Sequence, residues 1–147
     1  DREAAWLLLE AAEIIGDGEL IEKIKVISVN MAIAASKGLD IDGGMWYEAE
    51  HGKLVAQKHS WPQAEAMVGF YNAWQLTKDK KYLQYVFNNW QFIQQYILDK
   101  ENGEWFWGVN RDHTVMAGQD KAGFWKCPYH NTRACLEIIK RIPFQNN

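Results

Sequence analysis

Cysteine is scarce in this sequence: two in 147 residues, Cys127 and Cys135. A pair of thiols with no secretion signal in view reads as free rather than bridged, and favours a reducing cytoplasm. No apolar run approaches the ~20 residues that a membrane span needs, so the membrane is not an expected partner. There is no basic block, and the formal net charge is −3. Nucleic acid is therefore not an expected partner either. An initiating methionine is missing too: the sequence opens at Asp1, inside a stretch that already reads as helix, which suggests a processed or excised piece. What remains is enough for one domain over residues 1–147, since 48% of the residues are hydrophobic.

Aromatics are abundant instead, at 14% with eight Trp. Trp105 and Trp107 flank Phe106, and Trp46 stands beside Tyr47. Flat rings stack on the apolar faces of sugar rings, and they also fill large cores. The composition supports both readings.

Hydrophobic periodicity predicts helices of two kinds. Residues 2–15 (Ala4, Trp6, Leu7, Leu9, Ala12, Ile14), 61–76 (Ala64, Val68, Phe70, Trp74) and 129–141 (Ala134, Leu136, Ile138) are apolar nearly all round, as buried helices are. Residues 19–36 and 80–97 carry single stripes, Leu20-Ile24-Ile27-Met31 and Leu83-Val86-Trp90-Ile93-Ile97, with polar residues elsewhere. Gly16-Asp17-Gly18 and Thr77-Lys78-Asp79 supply the turns. The loops after the two striped helices match as G-x-W-aromatic, Gly44-Met45-Trp46-Tyr47 and Gly103-Glu104-Trp105-Phe106, 59 residues apart. Each is expected to begin a short strand or hairpin. This is a repeat of one helical hairpin and one long loop. Hairpins that alternate inner and outer helices close into an α/α toroid, and five helices make an arc of one.

In such an arc the inner helices run the same way, and their N-termini open at one end. That end collects Asp1 and Glu3, then Trp61, Gln63 and Glu65, then Trp125, His130, Asn131 and Arg133. Pro128 suits the first turn of a helix. His130 and Arg133, three apart, share one helical face. A ring, an imidazole and a fixed cation can hold and process a sugar. The plainer readings are a structural His130 and an Arg133 paired with Glu137 at i+4. His51 and His59 lack the further ligands of a zinc site, so no metal is expected. His113 lies on the loop before Trp125, where it either shapes the mouth or faces solvent.

Three stretches, Trp125-Lys126-Cys127-Pro128-Tyr129-His130-Asn131, Trp61-Pro62-Gln63-Ala64-Glu65-Ala66 and Asp1-Arg2-Glu3-Ala4-Ala5-Trp6-Leu7-Leu8, resemble the N-acylglucosamine 2-epimerase superfamily. Within it they are most similar to the cellobiose (or mannobiose) 2-epimerase branch. The resemblance runs over nearly the whole chain, and the first stretch is its most specific part. It implies an (α/α)6 barrel of twelve helices, of which this chain would be the C-terminal part, roughly five helices. It also implies inversion at C2 of a disaccharide's reducing-end sugar, without metal or organic cofactor. A base takes the C2 proton from the ring-opened sugar, an enediolate forms, and a proton returns on the opposite face. His130 matches one of the family's two acid/base histidines; the other would precede Asp1. Glu3 matches the acidic residue of an H-D-x-E motif. Trp61 and Trp125 match tryptophans that hold the sugar. Ser60 departs from the pattern, which has a second Trp there. Glu65 and Arg133 complete the expected substrate-binding set, Arg133 beside the developing enediolate charge or orienting His130. A glycoside hydrolase using Glu3 and Glu65 as its carboxylate pair, or a binding protein with a Trp-lined platform, are the other readings. The incomplete arc is expected to self-associate through inner-helix faces exposed at Leu7, Val68 and Ile138.

Overall fold

The computed structural model describes residues 3–142. Asp1, expected at the mouth, lies outside the described residues. The described residues fold as five helices: α1 (Ala4–Ile15), α2 (Gly18–Ser36), α3 (Ser60–Thr77), α4 (Lys80–Phe92) and α5 (Tyr129–Arg141). A π-helical turn, Ile93–Ile97, extends α4. The residues predicted as one helix over 80–97 therefore end in a wider turn, from which Leu98 N–H reaches back to the Ile93 carbonyl.

Local chemistry sets the boundaries. Gly16 ends α1 in the left-handed region at φ +77°, its N–H bonded to the Ala12 carbonyl. The Asp17 carboxylate caps α2 by accepting from the Glu19 and Leu20 amides at 3.0 and 3.1 Å. Asp79 caps α4 in the same way through Lys81 N–H.

The strands are short. β1 (Glu48–Glu50) and β2 (Lys53–Val55) form a hairpin, and β3 (Gln57–His59) pairs antiparallel with β4 (Gly108–Asn110). Each G-x-W loop thus leads into a strand. The two loops are also equivalent in space, through a register one residue off the sequence match. Leu39 bridges Met45 as Leu98 bridges Trp105. Gly43 N–H bonds Asp40 as Gly103 N–H bonds Asp99, each at 3.0 Å. Both glycines have positive φ, +86° and +73°. Gly43, not Gly44, is thus the counterpart of Gly103, because the second loop is one residue longer.

Helix α3 is the centre of the molecule, buried at every position from Pro62 to Ala73. It packs on α1 and α5 to its sides and on α2 and α4 behind. The all-α architecture of helical hairpins with short β-hairpins in the loops, part of an (α/α)6 barrel, is thus present. The burial expected for the other two inner helices is not. Helix α1 buries Ala5, Trp6, Leu9 and Ala12 but leaves Leu8, Ile14 and Ile15 exposed, and α5 fully buries Ala134 alone. Each of these helices meets one inner neighbour, α3, whereas α3 meets two. For the same reason Val68, expected on an exposed face, is 0% exposed. Leu7 and Ile138 are half-buried against the core.

Candidate functional site

The N-termini of α1, α3 and α5 meet at Glu65. It sits in the second turn of α3, 1% exposed, and its carboxylate takes three donors. Trp6 Nε1 donates to Oε2 at 3.0 Å. His130 Nδ1 lies 2.7 Å from Oε1, and the Arg133 guanidinium donates to the same oxygen at 2.5 Å. Arg133 also bonds Glu3 at 2.5 Å, and its cation lies over the rings of Tyr129 and Trp6. Burial alone would raise the Glu65 pKa; the His130, Arg133 and Trp6 donors outweigh it and hold the carboxyl below its ordinary value. Burial likewise opposes the Arg133 charge, but Glu3 and Glu65 hold it firmly protonated. The pairing of Arg133 with Glu137 at i+4 does not form; Glu137 bonds Arg141 instead.

A carboxylate accepts hydrogen bonds and has none to give. The proton of a neutral His130 therefore belongs on Nδ1, facing Glu65, and the Nε2 lone pair is left over. Among the described residues Nε2 makes no hydrogen bond.

His130 lines a cleft with four indoles, Trp61, Trp105, Trp107 and Trp125. The Trp61 ring lies 5.8 Å from the imidazole. The composition's two readings of the tryptophans both hold: Trp6 is fully core, and these four wall the cleft. Trp125 is 83% exposed and sits on a turn closed by two backbone bonds between Gly123 and Lys126. That turn is anchored from below. Lys126 Nζ donates to Glu104 at 3.0 Å, and Glu104 also accepts from Asn131 at 2.9 Å.

The structure thus brings His130, Glu65, Arg133 and Glu3 into one bonded group, with Trp61 and Trp125 on the cleft beside it. Gln63 is not part of the mouth. It is 0% exposed, and its amide bonds Met45, His59 and Asn89, stapling the first loop to α3 and α4. Trp6, Trp105, Trp107, Lys126 and Glu104 were not singled out as site residues from the sequence. Trp6 carries no local signal, since its partner lies 59 residues away. The closely spaced Trp105 and Trp107 were such a signal.

The remaining histidines serve elsewhere. His59 stacks on Tyr47 at 3.9 Å, and burial pushes its pKa down to about 4. His113 is half-buried, stacked on Tyr96 at 4.1 Å, with Nε2 at 2.7 Å from Asp42. Asp42 and Asp40 in turn hold the fully buried Lys58. His51 is exposed in the turn of the β1–β2 hairpin. Glu3, Glu65 and His130 lie close enough together to share a cation. The Arg133 guanidinium, bonded to both carboxylates, already supplies one.

Residues 1–134 match the family N-acylglucosamine 2-epimerase (GlcNAc 2-epimerase). Cellobiose 2-epimerase of Bacteroides fragilis is 45% identical over 141 residues, covering 95% of this chain and 36% of that protein. The crystal structure of a sugar epimerase from a ruminal bacterium superposes with a TM-score of 0.91 at 35% identity, over 95% of this chain and 36% of that one. Cellobiose 2-epimerase from Bacillus thermoamylovorans B4167 gives 0.87 at 39% identity, over 96% and 36%. The chain therefore spans about 36% of the length of these relatives. It belongs to the N-acylglucosamine 2-epimerase family.

Proposed function

We propose that the chain is part of a sugar 2-epimerase that inverts C2 at the reducing end of a disaccharide of the cellobiose type. The observation that carries this reading is the Glu65–His130 bond beside the indole-walled cleft. Glu65 fixes the tautomer and orientation of the imidazole, and Nε2 is the base. Once the sugar ring has opened to its aldehyde, Nε2 takes the proton from C2. The C2–H electron pair forms the enediolate double bond, and the former carbonyl oxygen takes the negative charge. The imidazolium that results lies against the Glu65 carboxylate, which stabilises it. Arg133 keeps Glu65 ionised and in place. Trp61 and Trp125 hold the sugar by stacking.

Inversion needs the proton returned on the opposite face of C2, by a second acid. His130 is the one histidine lining the cleft among the described residues. We therefore propose that the 147-residue chain is inactive alone and that a second histidine, outside it, completes the site. Its two free cysteines suit a cytoplasmic enzyme.

The glycoside hydrolase reading fits the geometry less well. It needs one carboxyl kept protonated as the acid. Glu65 is held ionised, and both it and Glu3 are bonded to one guanidinium. Incubating the full-length protein with cellobiose in deuterated water separates the readings. The expected product is the C2 epimer carrying deuterium at C2. Release of monosaccharides would establish the hydrolase, and binding without any conversion would leave a sugar-binding protein.

A further inference from the structure

Ser60 stands in the cleft. It opens α3 directly after β3, and its N–H donates to the Trp107 carbonyl at 2.8 Å, which fixes its backbone against the second loop. Ser60 is 8% exposed, yet its hydroxyl makes no hydrogen bond among the described residues. The oxygen is not sealed from solvent, so on the lining of a ligand cleft it is open to a bound partner.

The other polar groups there are largely committed. The Asn131 amide donates to Glu104, and its oxygen accepts from Thr132 N–H. Lys126 Nζ is taken by Glu104 and the Lys121 carbonyl. The indoles offer flat faces, which grip the C–H side of a sugar, and N–H groups that only donate. Stacking does not distinguish one hydroxyl arrangement from another. A serine hydroxyl does, because it can donate and accept at one fixed point.

Building on the assignment of this cleft to a sugar, we propose that Ser60 is a specificity-determining residue. Its Oγ exchanges a hydrogen bond with one ring hydroxyl of the bound sugar, and so selects sugars that carry that hydroxyl in the matching orientation.

The test is a cycle on the full-length protein, with cellobiose and its monodeoxy analogues as probes. Binding is read by tryptophan fluorescence and thermal stability is measured alongside. Ser60→Ala should weaken cellobiose binding about 2- to 10-fold, the worth of one neutral hydrogen bond, with the melting temperature little changed. One monodeoxy analogue should bind the wild-type protein more weakly by a similar factor, and lose nothing further in Ser60→Ala. Unchanged cellobiose affinity in Ser60→Ala, or equal further losses for every analogue, would overturn the proposal. The readout needs no turnover. A protein that binds cellobiose without exchanging the C2 proton would therefore sink the epimerase reading while leaving this one standing. A protein that binds none of these sugars would overturn both.

Discussion

The Glu65 carboxylate is the residue on which most of this site depends, and its protonation has a consequence for stability. Its folded pKa lies below the ordinary 4.5. The group's contribution is therefore fully present above the unfolded pKa, and is lost as pH falls through the folded one. His59 behaves differently. Its folded value of about 4 lies below the ordinary 6.5, so between those limits the unfolded chain binds a proton that the folded protein refuses. Stability attributable to His59 thus falls as pH drops from about 6.5 to about 4 and then levels off. Urea midpoints measured from pH 7.5 to 3 should show two separable limbs. His59→Phe should flatten the upper limb and Glu65→Gln the lower. If His59→Phe leaves the upper limb unchanged, burial is not what controls that imidazole.

His130 itself divides catalysis from structure. General acid–base assistance is worth about 10² to 10⁴ in rate. His130→Asn in the full-length protein should lower turnover by at least ~10². Sugar affinity should fall only modestly, because Trp61 and Trp125 still stack. A histidine kept only for packing would do the reverse, costing stability while folded molecules turned over normally. Turnover per folded molecule, with melting temperature measured in parallel, decides between the two.

At the scale of elements, the repeat of hairpin and loop could be read from the sequence, and its register could not. Periodicity placed all five helices, because apolar spacing follows directly from helix geometry. The match of Gly44 with Gly103 was one residue out, since one loop is longer and only the backbone bonding of Gly43 reveals it. Burial was legible for α3 and misleading for α1 and α5. An apolar sequence says that a face seeks contact, not how many neighbours it finds. The cleft followed the same division. Local motifs pointed to His130, Trp61 and Trp125, whereas the Trp6–Glu65 bond joins positions 59 apart and leaves no local trace. The loop register is open to test through its glycines. Gly16 and Gly43 both have positive φ, but a Cβ on Gly16 meets open space, whereas one on Gly43 would lie 2.5 Å from the Asn88 carbonyl oxygen. Gly16→Ala should cost about 1–2 kcal/mol from backbone strain. Gly43→Ala should cost a further ~1–3 kcal/mol for the steric clash. Equal losses in urea unfolding would mean that the first loop does not press on α4 as described.

At the scale of the whole molecule, the arc leaves apolar surface uncovered. Met67 on α3, Leu83, Phe87 and Trp90 on α4, and Ile138 and Ile139 on α5 line a groove between α4 and α5. Leu8 and Ile14 on α1 and Leu136 on α5 are exposed as well. Apolar surface gathered in a groove of this kind seeks a partner. We propose that the 147-residue chain self-associates through it. Burying these side chains against another copy removes them from water at about 25 cal/mol per Å² of apolar surface. Association should therefore appear at micromolar concentration, and it should weaken when Phe87 and Ile139 are both changed to Ser. Sedimentation velocity gives the answer directly. A monodisperse monomer at tens of micromolar would contradict the proposal, and so would an oligomer indifferent to the double substitution. The same preparation tests activity. If C2 inversion requires a second acid on the far face of the sugar, association through the groove will not supply it, because the cleft holding His130 has a different set of walls. Deuterium incorporation at C2 of cellobiose by this chain alone would show that both protons are handled by groups already within it.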